Sequence, residues 1–515
     1  MGRLALNIVL LLLLTSSSAL AQQKLLPLNR LRHLEIDNSA RFRDSLQHTA
    51  MRPYLESKWD LSRIYGHHKD TTKYYYKLSV VAVRDHFIEG GEEGFHVTAD
   101  PLFDLQMSWD FADTTAFQDT VGYYNNTRGA RLAGDIGTKI SFESYLYENQ
   151  SQFPGYIRDF NDSTAVIPGQ GRWKQYKNFG YDYNSAYGWV SITPNENLNF
   201  QIGHGKHFVG HGYRSMLLSD NAANYPYLKG TAWLLEDKIQ YSWIYCTMQN
   251  LERLPLRDVP ESLFKPKAAS FYYVNFIPHT AIEIGLFESI IWETWDSTGT
   301  QAFDFKTTIP VVGVNSAILG LNGNDNAMLG LNAKIKLLDW LHIYGQVALD
   351  NRLDEGTGYQ AGLKVFNAGL ENLHLQAEYN LGPRNSYRHQ NWLQSYTNLN
   401  QSIAHPLGTY FEEIIGTVNY RWRRFYTQIK YHNQRHDLLE GGNVLTSNPD
   451  DEYQPLLARN SMFDIQAGWL MNPKTNANVS IGWIHRDFDI SALEQNTDWV
   501  YLTFRTSLFN KYYDF

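Results

Sequence analysis

Residues 204–225 hold the densest group of side chains that could do chemistry. Histidine, lysine and arginine side chains lie among glycines there, and hydroxyl, carboxylate, amide and phenol groups follow in the same stretch. This mixture suits a polyhydroxylated ligand, because aromatic rings stack on the C–H faces of a sugar while short polar side chains pair with its hydroxyls. We therefore predict a ligand-binding site formed by His204, Lys206, His207, His211, Tyr213, Arg214, Ser219, Asp220, Asn221 and Tyr225.

A metal site is the first alternative for this stretch. His204, His207 and His211 are three imidazoles close together, but on a strand His204 points away from the other two. The residues between them include no Asp or Glu as a further ligand. We therefore expect no metal ion and no cofactor, and histidines that act as ordinary hydrogen-bonding groups. An aromatic-rich loop that plugs a lumen without binding a ligand is the second alternative.

Local catalytic motifs are absent. Gly205-Lys206 lacks the earlier glycine of a phosphate-binding loop, since Phe200 stands at that position, and His207 replaces the Ser or Thr that should follow. The sequence contains no G-x-S-x-G elbow and no H-E-x-x-H. We expect no catalytic residues and a non-enzymatic protein. A barrel hydrolase with catalytic residues dispersed along the chain stays open as an alternative.

The elements that carry these residues are hairpins. Residues 198–203 alternate apolar and polar side chains after a Pro/Asn turn, which is the pattern of a strand with one apolar face. The clearest hairpin joins 329–337 to 341–349 through Asp339-Trp340. These strands are about ten residues long, the length that a tilted membrane strand needs. Continued alternation would turn Lys206 toward lipid, so the chain must leave the wall before it, for a barrel rim or the lumen.

Short turns and long connections recur at opposite ends of the predicted strands. Turns lie at 367–369, 423–424 and 472–474, whereas polar connections at 382–406 and 433–460 are much longer. This arrangement is typical of an outer-membrane barrel, while a water-soluble β-sandwich, the alternative, has shorter strands and turns that are not sorted by end. We predict an all-β fold, an antiparallel outer-membrane β-barrel of about 18 strands (16–18).

The chain divides into three predicted parts. Residues 1–21 combine an early positive charge, a short apolar run and an A-x-A site, which predicts a cleaved signal peptide. Residues 22–70 form an N-terminal periplasmic segment with one or two short helices, at 28–35 and 40–47, or else a disordered lead-in. Residues 71–515 form the transmembrane barrel.

The charge and cysteine content of the sequence exclude some classes of partner and of structural site. The net charge of -8, from 45 basic and 53 acidic residues, argues against nucleic acid. Cys246 is the only cysteine, so no intramolecular disulfide and no cysteine-based zinc site can form. Residues 499–508 alternate as a final strand and the sequence ends in Phe515, which resembles the signal that outer-membrane barrels present to the barrel assembly machinery.

Four motifs resemble the capsule assembly protein family Wzi, and its Bacteroidetes branch that includes the gliding motility protein RemB. They are Val-Ile-Pro-Gly-Gln-Gly at 166–171, Phe-Gly-Tyr-Asp-Tyr at 179–183, the stretch 201–215, and Ser-Asp-Asn-Ala with Tyr-Pro at 219–226. The resemblance implies a barrel in the cell outer membrane with a small helical periplasmic element. It also implies a role with polysaccharide at the cell surface, in capsule or exopolysaccharide assembly or attachment, or in gliding motility and adhesion.

The expected partners follow from this interpretation. They are cell-surface polysaccharide, outer-membrane lipid, the barrel assembly machinery during biogenesis, and motility or adhesion proteins. A diffusion porin is a further alternative and requires an open lumen. Inward folding of a loop such as 159–178 predicts a closed one.

Overall fold

The structure of the protein is a computed structural model. It describes residues 23–60, 86–114, 122–177, 179–254, 264–296, 299–300, 309–319, 325–350, 356–439, 444–445, 453–472, 475–490, 493–506 and 508–515. The predicted signal peptide and the predicted boundary at residue 70 lie outside these ranges.

Within the described residues, eighteen antiparallel strands close into a barrel, because the last strand pairs with the first. The predicted all-β barrel and its strand number are therefore confirmed. In chain order the strands are β1 (Phe95–Asp110), β2 (Tyr123–Ile136), β3 (Ile140–Gln152), β4 (Gly180–Asn195), β5 (Leu198–Gly205), β6 (Tyr225–Leu234), β7 (Ile239–Arg253), β8 (Phe264–His279), β9 (Ile282–Glu293), β10 (Asn326–Leu338), β11 (Leu341–Leu349), β12 (Thr357–Val365), β13 (Leu373–Gly382), β14 (Phe411–Trp422), β15 (Phe425–Asp437), β16 (Leu457–Asn472), β17 (Ala477–Ile490) and β18 (Leu493–Arg505).

Short elements accompany the barrel. None of the described helices is long and apolar enough to cross a membrane. The helices are α1 (Arg30–Ser39), α2 (Gly155–Thr164) and α3 (Val314–Leu319), with 3-10 turns at Glu56–Lys58 and Trp392–Gln394. The short strands are Met51–Arg52, Ile88–Glu92, Lys174–Tyr176, Phe208–Val209, Trp295–Asp296, Gly299–Thr300, Thr397–Asn398 and Gln401–Ser402.

The wall alternates as predicted. On β10, Leu331 and Ile335 are 42% and 43% exposed on the outer face, whereas Asn332 and Lys334 are buried toward the lumen. Because a closed sheet pairs its backbone groups internally, such a wall can present apolar side chains to lipid. Tight turns such as 339–340 lie at one end, which we call the short-turn end.

Four segments occupy the lumen. We name them the N-terminal segment (23–60), the lumen loop (206–224), the upper loop (383–410) and the tail (508–515). The lumen loop is the most enclosed, since its residues are buried except for the half-buried Tyr213 and Asn224. The barrel is thus plugged by parts of its own chain.

The four segments are bonded to each other. Met51–Arg52 of the N-terminal segment pairs as a two-stranded sheet with Phe208–Val209 of the lumen loop. Ser219 donates its backbone N–H to a carbonyl of the upper loop at 2.7 Å, and Asn510 of the tail donates its backbone N–H to Leu28 at 3.2 Å. Residues far apart in sequence therefore form one plug.

The helix predicted at 28–35 is present as α1, and the Asn29 side chain caps it by accepting the Arg32 N–H. No helix forms over 40–47. The Lys336 Nζ draws three backbone carbonyls of that stretch together, at 2.9–3.1 Å, and so holds it in turns. The segment contacts the wall near the short-turn end, where the Arg43 backbone N–H donates to Asp339 at 2.9 Å.

The final strand predicted at 499–508 is present, but it ends earlier than predicted. Strand β18 ends at Arg505, and the tail then turns into the lumen, where Leu508 is buried. The Phe515 ring packs against Phe160 of α2, with ring centroids 4.8 Å apart. Lys511 contributes to this turn, because its Nζ pairs with the buried Asp104 of β1 inside the barrel at 2.6 Å.

Candidate functional site

The lumen loop begins where β5 leaves the wall. Continued alternation would direct Lys206 into lipid, which costs about 2–4 kcal/mol at mid-bilayer. The strand ends at Gly205, whose position excludes a side chain because a Cβ there would lie 2.5 Å from the Tyr187 ring. The residues that follow are inside the barrel. The lumen, rather than the rim, is therefore where the predicted site begins.

His204 and Lys206 are separated by this turn. The His204 ring stays on β5, half-buried, with Nδ1 3.0 Å from the Ala186 carbonyl. The Lys206 Nζ donates to the carbonyls of Gly169 at 2.5 Å and Asp220 at 3.1 Å. Burial lowers the pKa of Lys206 to about 8, although the Asp220 charge acts in the opposite direction.

The histidines do not gather around a common point. The His207 Nδ1 lies 3.2 Å from the Tyr225 hydroxyl, whereas the His211 Nε2 lies 3.8 Å from Glu283 on β9. Burial lowers the pKa of both His207 and His211 well below the ordinary value. Across the described part of the chain, no group of three or more His, Cys, Asp or Glu side chains could hold a metal ion.

Arg214 is the centre of a buried charge network. Its guanidinium donates to Glu413 of β14 at 3.0 and 3.2 Å and to the Asp514 carboxylate of the tail at 3.0 Å. His405 of the upper loop approaches the same Glu413 at 2.6 Å. Such two-pronged arginine–carboxylate contacts fix geometry as well as charge. Arg214 therefore joins the wall, the upper loop and the tail.

Tyr213 and Asp220 also bind the tail. The Tyr213 hydroxyl donates to Asp514, and its backbone N–H donates to Glu378 at 2.7 Å. The Asp220 carboxylate accepts hydrogen bonds from the Tyr512 hydroxyl and from the Asn510 amide, the latter at 3.0 Å. Both side chains are thus occupied by residues of the same chain.

The remaining predicted residues face the upper loop or the wall. Ser219 is buried beside the upper loop, and the Asn221 amide donates to the Ser402 carbonyl at 2.6 Å. Tyr225 opens strand β6 and contacts His207.

Apart from His204 and Tyr225, which lie on wall strands, the predicted site residues are therefore inside the plug and bonded to other residues of the chain. The geometry matches the alternative of an aromatic-rich loop that plugs the lumen. Ligand binding by these side chains stays a prediction.

A cavity of about 290 Å³, absent from the sequence-based prediction, lies between α1, the tail and the wall formed by β12–β18 and β1. We call it the amide cavity. The part of its lining that lies on the wall combines amides, hydroxyls and aromatic rings with charged side chains: Asp104, Gln106, Lys364, Gln376, Thr417, Asn419, Tyr426, Gln428, Lys430, Asp464, Gln466, Asn476, Asn478, Trp499, Tyr501, Thr503 and Arg505.

Several buried polar atoms that line the amide cavity lack hydrogen-bond partners among the described residues. The Trp499 Nε1 and the His33 Nε2 have no hydrogen-bond partner, and both residues are 3% exposed. A buried polar group without a partner costs free energy, so a polar ligand or water would be stabilised here. The sequence signal was the recurrence of Asn and Gln at inward positions of consecutive strands, for example Asn419, Gln428 and Gln466.

No protein-family model matches the sequence, and no curated protein matches it. Solved structures do. Escherichia coli Wzi, described as an outer membrane protein involved in group 1 capsule assembly and as a carbohydrate binding β-barrel, has 14% identity and a TM-score of 0.57, over 94% of this chain and 100% of that chain. Pseudomonas aeruginosa OprD has 9% identity and a TM-score of 0.41, over 79% of this chain and 94% of that chain. Acinetobacter baumannii OccAB2 has 10% identity and a TM-score of 0.42, over 79% of this chain and 97% of that chain.

The likeness to Wzi concerns the fold, and likeness to the RemB branch stays a prediction. Together with the lipid-compatible wall, the fold shows that this chain is an outer-membrane β-barrel.

Proposed function

We propose that this outer-membrane barrel binds polysaccharide, and that it acts in capsule or exopolysaccharide assembly or attachment, or in gliding motility and adhesion. The amide cavity carries the proposal. Its lining combines amides, which both donate and accept hydrogen bonds, with aromatic rings, which stack on sugar C–H faces. The fold of Wzi, itself described as carbohydrate binding, adds support.

Amides and aromatic rings lie side by side on the wall of the cavity, which suits a glycan segment. Gln428 and Gln466 point inward from neighbouring strands, and Trp499 and Tyr501 lie on the same wall. The Gln428 amide is 2.8 Å from Asn419, which orders it toward the cavity before any ligand arrives. Ordered polar groups reduce the entropy lost on binding.

The plugged lumen favours binding over the porin alternative. A diffusion pore needs an open lumen, whereas the N-terminal segment, lumen loop, upper loop and tail occupy this one. We further propose that the protein is non-enzymatic and that binding is its whole activity.

The test is binding of the detergent-solubilised barrel to the producing cell's own surface polysaccharide, measured by surface plasmon resonance. The double variant Gln428→Leu/Gln466→Leu keeps side-chain size but removes both amides. Since each lost hydrogen bond costs about 0.5–1.5 kcal/mol, we expect affinity to fall about tenfold. The matched control is Asn433→Leu, on the outer face of the same strand as Gln428, where Asn433 bonds Ser461 at 2.6 Å.

Each outcome decides between specific alternatives. Equal binding by the double variant and the wild type would remove the amide cavity from the proposal. Absence of binding by the wild type would contradict the polysaccharide ligand and favour a protein partner of an adhesion or motility apparatus.

A further inference from the structure

One buried lysine of the barrel lacks the partner that the others have. Lys229 points inward from β6 and is 3% exposed, yet within the described residues no carboxylate, carbonyl or hydroxyl bonds its Nζ. By contrast, Lys334 pairs with Glu283 at 2.6 Å, and Lys267 bonds the Ser395 carbonyl at 2.8 Å. A buried ammonium is stable only where an acceptor or a counter-charge meets it, so the Lys229 amine is positioned to take an anion that enters beside it.

Lys229 faces a cavity of about 80 Å³ between the N-terminal segment and strands β5–β7. A cavity of this size has room for several water-sized groups. The neighbouring positive charge, Lys58, is already engaged, since it lies 3.4 Å from Asp237 at the edge of the cavity. Lys229 therefore supplies the unengaged positive charge inside.

Two amide oxygens of the same cavity also lack partners. Gln201, directly opposite Lys229 on β5, donates its amide N–H to Asn199 at 2.6 Å, while its Oε1 has no donor. The Gln240 Oε1 on β7 has none either. An ammonium needs an acceptor, whereas these oxygens need donors. One ligand satisfies all three groups if it carries both an anionic oxygen and a hydroxyl.

We propose that this cavity binds a hydroxylated oxyanion, the carboxylate of a sugar acid or a phosphate, with Lys229 as counter-charge and Gln201 as acceptor of the ligand's hydroxyl. The site lies near the turn 235–238, at the short-turn end, which is the periplasmic end of outer-membrane barrels. It is on a different part of the wall from the amide cavity. The proposal does not depend on polysaccharide binding there.

The experiment uses the full barrel in detergent with 13C at the lysine ε position, followed by NMR. The Lys229 signal is assigned by its absence from Lys229→Met. D-glucuronate and inorganic phosphate are titrated separately, with D-glucose as the uncharged probe and acetate as the anion without a hydroxyl. We expect a saturable shift of the Lys229 signal with glucuronate or phosphate, and none with glucose. If only glucuronate shifts the Lys229 signal, the ligand is a carboxylate. If only phosphate shifts it, the ligand is a phosphate.

Variants separate the roles of the two side chains. Gln201→Leu should weaken glucuronate or phosphate binding about tenfold while leaving acetate binding unchanged. Lys267→Met, which removes an equally buried but bonded lysine, should leave anion binding intact. Lys229→Met removes an unpaired charge and should fold well.

Thermal denaturation tests the same proposal on protein that carries no isotope label. A ligand that binds only the folded state raises the melting temperature, so the anion should stabilise the wild type and not Lys229→Met. If neither oxyanion shifts the Lys229 signal or the melting temperature, or if chloride shifts both equally, the proposal is overturned and water fills the cavity.

Discussion

Arg214 and Asp514 are 300 residues apart in sequence and form a salt bridge of 3.0 Å inside the barrel. Glu413 holds the other side of the same guanidinium at 3.0 Å. Arg214, one of the residues predicted to bind a ligand, is thus the contact that joins the tail to the lumen loop and to the wall. Its first role is structural, and this can be tested directly.

Replacing Arg214 by Gln should release the tail. The change removes the guanidinium that Glu413 and Asp514 share and leaves them His405 and Lys430 as their remaining partners, so we expect a cost of up to about 3–5 kcal/mol. We expect backbone amides of the tail to exchange hydrogen much faster, as measured by mass spectrometry of its peptides. Arg435→Gln, an exposed arginine on the outer side of β15, is the matched control and should change nothing.

Heat-modifiable migration on a gel would show that both variant barrels are folded. Unchanged protection of the tail in a folded Arg214→Gln barrel would mean that aromatic packing, and not the salt bridge, holds it.

Attachment of the tail should also depend on pH at the acidic end. Burial raises the pKa of Asp514, but the charges of Arg214 and Lys430 outweigh this and bring the pKa well below its usual range. A lowered pKa contributes stability that is complete above the unfolded value, about 3.9, and is lost as the pH falls below it. We expect constant tail protection from about pH 5 to 8 and a decline below about pH 4.

Hydrogen exchange of the tail peptides, corrected for the intrinsic change of exchange rate with pH, measures this pH dependence. Asp514→Asn should show weaker protection at every pH and a flatter acidic limb. A decline centred near neutral pH would instead implicate a histidine and contradict the assignment.

The barrel was predictable because its signals are local. The β10–β11 hairpin is visible as alternation around Asp339-Trp340, and its register pairs Leu331 with Val347 as that alternation requires. The alternation of apolar and polar residues within a single strand identifies its lipid-facing side, and no other strand is needed for the assignment. Helix α1 was visible for the same reason, from the leucine spacing that follows Pro27.

The candidate site was not predictable in the same way, because the partners of its side chains are distant. Nothing near Arg214 in sequence indicates Asp514, and nothing near Asp220 indicates Tyr512. A mixture of aromatic and polar residues is equally suited to a sugar and to other parts of the same chain. Only the fold decides between them, and here it places the chain's own residues around the lumen loop.

Assembly of the barrel should tolerate the loss of the Phe515 side chain. The ring packs on Phe160, at a centroid distance of 4.8 Å, and lies outside the paired part of β18. We expect Phe515→Ala to reach the outer membrane at wild-type levels, measured by cell fractionation and heat-modifiable migration. Phe504→Ala, within β18, is the comparison and should reduce assembly. Loss of membrane-inserted protein in Phe515→Ala would show that this side chain is read during assembly even though it ends in the lumen.

The N-terminal segment should be held by one buried ion pair between α1 and β12. Asp37 and Lys364 approach to 2.6 Å, and Arg52 lies 3.9 Å from the same carboxylate. Asp37→Leu leaves Lys364 buried and unpaired, which we expect to destabilise the attachment of α1 by about 3–5 kcal/mol, whereas Asp37→Leu/Lys364→Leu removes both charges and should recover most of that loss. Hydrogen exchange of α1 peptides in a double-mutant cycle measures both effects. If the double variant were as unprotected as Asp37→Leu, Arg52 rather than Lys364 would be the partner that matters, and Arg52→Leu should then reproduce the loss.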